Sequence, residues 1–364
     1  MATYGTITPS TDVITNTSKV TTGFFTGNKG SLAGGNLVTA SLSATQKNYY
    51  YNLQYSSEDQ LSVTYGHVSG SGSTANAQPR ETKAIYKQFA SLLLDDPNGN
   101  FFINSTTEAE ENVYIIVAER SRMKDRLNRK NFTIQLSGSW LGAGDKLVKL
   151  TDDSDFTAAT QTAVGPRYNI LSGSEGVLSS SLTMGTNLGG VNGSSNMGNP
   201  YYGHFYPNMG IMVLSGKVLS QSLGGSETYR TSSNPGLAAT QLVNGLNDDI
   251  RNDGNADNAI KLVHALEKGT QTLRGEEDQT TKSYFCRALA NDFNFTNNPT
   301  FVSGSDSIIR HPLMVGDPQV YITTVGLYTA GGGGQHELVA VGKLSTPVQK
   351  NYGTEATIKV KLTY

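Results

Sequence analysis

Val320-Tyr321-Ile322-Thr323-Thr324-Val325-Gly326-Leu327-Tyr328, a glycine run at 331–334, Glu337-Leu338-Val339-Ala340-Val341-Gly342-Lys343-Leu344 and the closing Thr357-Ile358-Lys359-Val360-Lys361-Leu362-Thr363-Tyr364 decide the fold class. β-Branched and aromatic residues crowd these runs, as pleated surfaces favour. The last run alternates strictly. Ile358, Val360, Leu362 and Tyr364 fall on one side and Thr357, Lys359, Lys361 and Thr363 on the other, the period of a strand with one covered face. The same reading predicts strands over 49–55, 61–65, 112–118 and 132–136, and weaker ones over 168–171 and 210–214, each bounded by Gly, Asn, Asp or Ser.

Composition agrees with a sheet protein. Hydrophobic residues make up 37% and charged residues 16% of 364, and 40 glycines supply turns. A net charge of −2 with 18 Tyr and 12 Phe argues for a folded chain, because disorder goes with high net charge and few aromatics. Low net charge gives little repulsion between copies, so association is expected.

Two helices interrupt the strands. Pro79 opens the first, Ile85, Phe89, Leu92 and Leu93 recur at helical spacing, and Asp95-Asp96-Pro97 ends it. Ile260, Val263 and Leu266 mark a second over 256–267, stopped by Gly269. The expectation is therefore a mainly β, multi-domain, sandwich-like protein with one or two short helices. Its expected parts are an extended arm over 1–40, a β domain over 41–150, a Gly/Ser/Asn-rich loop insertion over 151–280 and a C-terminal β domain over 281–364.

Four patches carry a family resemblance. They are Tyr65-Gly66-His67-Val68-Ser69-Gly70 running into Thr82-Lys83-Ala84-Ile85-Tyr86, Val113-Tyr114-Ile115-Ile116-Val117 with Arg120-Ser121-Arg122, Phe293-Asn294-Phe295-Thr296-Asn297-Asn298, and the closing hairpin from Val320 to Ser345. Together they resemble a virion structural protein of T-even-like marine and cyanobacterial myophages. The resemblance implies a tail-associated particle subunit, a baseplate component above a neck or capsid decoration protein, with no catalytic residues and no cofactor to carry over. Its implied partners are other virion proteins and symmetry copies of itself, and its implied place is the virion, after synthesis in the host cytoplasm.

Enzyme-like signals are weak beside that reading, and no enzyme is expected. Gly70-Ser71-Gly72-Ser73 precedes a helix but lacks the GxxxxGK[ST] pattern, so a loop is favoured over a phosphate site. His67, His204, His264, His311 and His336 are scattered, with no HxH or HExxH spacing. Asp152-Asp153-Ser154-Asp155 lacks the glycine and distant glutamate of a calcium loop and is expected to be a solvated turn. Cys286 stands alone, leaving no internal disulfide or thiolate cluster among these residues. The first residues lack a signal peptide's basic and apolar regions, and no run suggests a membrane span.

The densest charge run holds Arg120, Arg122, Lys124, Arg126, Arg129 and Lys130. It contains no aromatic for base stacking, so subunit contact is favoured over nucleic acid. A sugar-binding β module is the rival class, suggested by Tyr49-Tyr50-Tyr51 and Tyr201-Tyr202.

Overall fold

A computed structural model describes residues 5–70, 81–104, 107–140, 144–179, 201–223, 255–304, 308–330 and 336–364. The chain is mainly β. In order it forms α1 (Pro9–Asp12), β1 (Val13–Gly23), β2 (Ser31–Leu32), β3 (Val38–Thr39), α2 (Ala44–Lys47), β4 (Tyr51–Tyr55), β5 (Glu58–His67), α3 (Glu81–Leu94) and β6 (Asn112–Ala118). There follow β7 (Arg126–Leu127), β8 (Thr133–Trp140), β9 (Gly144–Asp152), β10 (Thr160–Thr162), β11 (Gly165–Ser174), β12 (Val177–Leu178), β13 (Gly203–Tyr206), β14 (Ile211–Ser215), α4 (Gly216–Leu223) and α5 (Asn255–Lys268). The last elements are β15 (Gln271–Thr272), β16 (Arg274–Ala288), β17 (Val302–Ser303), β18 (Ile308–Ile309), β19 (Val320–Ala330), β20 (His336–Lys350) and β21 (Ala356–Thr363).

Two compact units result: 20–277, here the large unit, and 1–19 with 278–364, the small unit. These divisions differ from those the composition suggested. The arm expected over 1–40 does not end at 40, because Phe24, Phe25, Leu32 and Leu37 are buried in the large unit's core. The insertion expected over 151–280 contributes β11, β13 and β14 to the middle of the sheet. Strands β13 and β14 are buried along their whole length, so they lack the polar alternation that identifies a half-exposed strand. Gly203 sits there because a Cβ would lie 2.1 Å from the Val213 carbonyl oxygen.

One curled sheet builds the large unit, running β2-β15-β8-β9-β11-β13-β14-β6-β5-β4-β3 with β10 and β12 beside β11. Its two edges, β2 and β3, are joined by residues 33–37 alone, a link that extends to about 20 Å at most. The sheet must therefore bend round until its edges approach. Leu53, Leu61 and Val63 from one flank then share a core with Ile134, Leu136, Val148 and Leu150 from the other, as opposed layers of a sandwich do.

Helix α5 occupies the concave side, laying Ala259, Leu262, Val263 and Leu266 into that core. Its last turn ties off the edges. Gly35 N–H donates to the Glu267 carbonyl at 2.6 Å, and the Thr39 hydroxyl donates to Glu267 Oε1 at 2.5 Å. Helix α3 covers the convex side, where Ile85, Tyr86, Phe89 and Leu93 meet Val113, Ile115, Ile211 and Val213. Both predicted helices are thus present, and α4, whose Val218 and Leu219 are buried, joins them although its sequence gave no notice.

The small unit is built differently. Strands β16 and β21 pair antiparallel from Thr281↔Thr363 to Ala288↔Ala356, with β1 on the other side of β16. Strands β19 and β20 form a separate two-stranded ribbon, and β17 pairs with β18. Among its described apolar side chains only Ala288, Phe301, Val302, Pro318, Val320 and Leu327 are buried.

Polar bonding compensates. Lys350, 0% exposed, donates from Nζ to the Ala290 carbonyl at 2.9 Å, Asn294 Oδ1 at 2.8 Å and the Asn351 carbonyl at 2.8 Å. These three bonds match the ammonium's three protons, which is what a buried cation requires. Lys350→Met removes all three and leaves the Asn294 oxygen unpaired. The expected loss is about 3 kcal/mol, with hydrogen exchange rising first over 290–302; unchanged exchange there would contradict it.

Candidate functional site

The basic run follows β6 directly. Glu119 N–H donates to the Gln60 carbonyl at 3.0 Å, and the Glu119 carboxylate caps a single 3-10 turn, Arg120–Arg122, through Ser121 N–H at 3.4 Å. Met123 is buried beside Gly275, where a Cβ would lie 2.9 Å from the Met123 carbonyl oxygen. The chain then turns at Lys124, φ 61°, and β7 pairs with the start of β16 through Arg126↔Glu276 and Leu127↔Gly275.

All six cations have partners inside the large unit. Arg120 Nη1 donates to the Asp125 carbonyl at 3.1 Å and the Asn208 carbonyl at 3.3 Å. Arg122 donates from Nε to the Asp59 carbonyl at 2.9 Å and from Nη2 to Glu58. Hydrogen bonds from Arg122 and Thr26 hold the exposed Glu58 carboxyl below the usual glutamate range. Lys124 lies 3.6 Å from Glu277, and Lys130 pairs with Asp155. Arg129 donates to the Tyr168 hydroxyl, with its guanidinium 5.4 Å from that ring's centroid.

The deepest pair is Arg126–Glu276. Both Nε and Nη2 sit 2.7 Å from Glu276 Oε1, Asn128 donates to Oε2, and the Glu276 side chain is only 6% exposed. The geometry therefore gives the run expected to meet other subunits an internal task, holding the 120–131 segment to β5, β11 and β16.

The other candidates are also absorbed into the fold. Asp152 accepts the Lys130 N–H at 2.8 Å, and Asp153 accepts from Asn169 N–H and Nδ2 at 3.0 and 2.8 Å, so this cluster pins loops. Burial holds the Asp152 carboxyl above its ordinary range. His67 Nδ1 accepts from Ser69 and Gly70 N–H in a turn. His264 lies 3.1 Å from Glu267, whose pKa is lowered: burial works against this, and hydrogen bonds with His264 and Thr39 outweigh it. His204 is buried on β13, and burial, reinforced by Arg167, lowers its pKa to about 3. Burial, with the charge of Asp12, pushes the half-buried Cys286 thiol up, away from the reactive thiolate.

Residues 71–80 of the glycine-rich loop lie outside the described residues. Among the described residues no group of three His, Cys, Asp or Glu could hold a metal ion, and no helix is long and apolar enough to cross a membrane. Open clefts of about 450 Å³ lie beside Gly34, Leu37 and Glu267 and beside Ile14, Phe285 and Arg287. No family model, curated protein or solved structure matches the chain.

The most distinctive surface is one that sequence reading passed over as plain sheet. Among the described residues the small unit carries twice as many exposed large apolar side chains as the large unit, in under half as many residues. On the ribbon, Tyr328 (45% exposed) and Leu338 (49%) lie over Gly326, where a Cβ would meet Tyr328 Cε2 at 2.9 Å and Leu338 Cδ1 at 3.3 Å. Val341, paired with Gly326 and 59% exposed, extends the patch. Its legible signal was the lack of charge along 320–330.

Arg126→Ala takes the guanidinium away from the buried Glu276 carboxylate, so urea unfolding should show a loss of about 3 kcal/mol. Arg120→Ala, at an exposed site, should cost under about 1 kcal/mol. Similar losses for both would contradict the internal-staple account. His204 stays neutral in the folded chain, while the unfolded chain takes up a proton below its ordinary pKa of 6.5. Stability is therefore complete above 6.5 and falls as pH drops toward 3, by about 2 kcal/mol between pH 7 and 5. His204→Asn should flatten that limb; an unchanged slope would contradict it.

Proposed function

We propose that this chain is a structural subunit of a contractile-tailed phage particle, a wedge-type baseplate component, acting by protein–protein assembly. The family resemblance supports the particle assignment. The observation that carries assembly as the mode of action is the concentration of exposed apolar side chains on the small unit. A patch of this kind, on a ribbon with few buried residues beneath it, is stable where another surface covers it.

The division of labour follows from the two cores. The large unit closes its sheet, buries its aromatics and engages its basic run internally, which makes it a scaffold. The small unit exposes Tyr321, Tyr328, Leu338, Val339 and Val341 along one ribbon, which makes it the contact-bearing part. Aromatic and aliphatic side chains of this kind form the anchors of protein interfaces.

Replacing Tyr328, Leu338 and Val341 together by Ser should leave the unfolding midpoint within about 3 °C of wild type, because exposed side chains contribute little to the isolated fold. Copies per particle, counted by quantitative mass spectrometry of virions assembled with the variant, should fall at least tenfold. Normal incorporation would overturn this reading.

A further inference from the structure

Strand β19 pairs with β20 alone among the described strands, so along 320–327 its other edge faces no described strand. Such edges are usually guarded by charge or proline. Other strands carry guards: Lys359 and Lys361 on β21, Glu337, Lys343 and Pro347 on β20, and Lys19 on β1. Strand β19 contains no charged residue and no proline. It is β-branched and aromatic-rich, the composition that pairs edge to edge when left open.

Its pattern is also self-matching. The inward positions are Val320 and Ile322, then Val325 and Leu327; the outward ones are Tyr321 and Thr323, then Thr324, Gly326 and Tyr328. The alternation changes phase between Thr323 and Thr324, beside the register shift in the ribbon. Read outward from that point, both arms run exposed, half-buried, exposed, buried. We propose that β19 pairs antiparallel with β19 of a second copy of this chain, about a two-fold axis between Thr323 and Thr324. This inference rests on the assembly reading and names one of its partners.

In that register Thr323 faces the second copy's Thr324, Ile322 its Val325, Val320 its Leu327, and Tyr321 lies across its Gly326. Threonine pairs and β-branched pairs stabilise adjacent antiparallel strands. A two-fold contact places each surface against itself, so it suits an edge with no charge to repel. The same operation centred on Val360 of β21 would set Lys359 against Lys361, which disfavours that edge. An uncharged edge also offers no charge code for choosing an unlike strand.

Sedimentation equilibrium on the full chain, up to about 100 μM, reads the association. Wild type should form a dimer, with amide exchange over 321–329 slowing as concentration rises. Thr323→Lys with Thr324→Lys should weaken the dimer at least tenfold, and Thr323→Glu with Thr324→Glu likewise, while an equimolar mixture of the two variants should restore it. Leu313→Lys, at a site 95% exposed and off this edge, serves as the control and should associate as wild type does. Circular dichroism shows whether the variants fold. A monomeric wild type, full association of the lysine variant, or no recovery on mixing overturns the pairing. If wild type is monomeric while the Tyr328, Leu338 and Val341 serine variant is still excluded from particles, self-pairing falls and the assembly reading stands.

Discussion

Apolar burial is unevenly shared between the two units, and the different build of each follows from that constraint. Ordering a chain costs about 1–2 kcal/mol of backbone entropy per residue, chiefly offset by side chains taken out of water. The large unit meets this with aromatic and aliphatic layers on both faces of one sheet. The small unit has six buried apolar side chains among its described residues and leaves many more exposed. Lys350 and its three oxygen partners fix part of its loop structure. Polar fixing orders a backbone without removing apolar surface from water, so the exposed ribbon still favours a cover.

The large unit shows how charge is used once a core is sufficient. Its basic run looks like an interaction surface in one dimension. In three, Arg126, Asn128 and Glu276 join the connection after β6 to the start of β16, and Arg122 reaches back to β5. A buried carboxylate such as Glu276 is tolerated because a guanidinium and an amide share it. Sheet closure follows similar economy: one short link and the last turn of α5 bring the edges together.

Much of the fold could be read from residues. Alternation at 357–364 marked β21, and the stripes of Ile85 with Phe89 and of Val263 with Leu266 marked α3 and α5. The central strands β13 and β14 were harder to see, because burial on both faces removes alternation and glycine lowers apparent hydrophobicity. Phe24 and Phe25 were hidden in a Thr- and Gly-rich stretch, where two residues decide that it enters the core. The candidate site fared differently. Charge density found the 120–130 segment, but partners such as Glu58 and Glu276, far away in sequence, decide its role. The ribbon was visible as sheet, and its exposure could be learned only from what packs on it.

Native-state hydrogen exchange of the isolated full chain, resolved by segment, tests the central claim most directly. Strong protection is expected over β5, β6, β8 and β14 and weak protection over β19 and β20 at dilution, since little buried apolar surface holds that ribbon closed. Equal protection of the ribbon and the large sheet in a dilute monomer would contradict it.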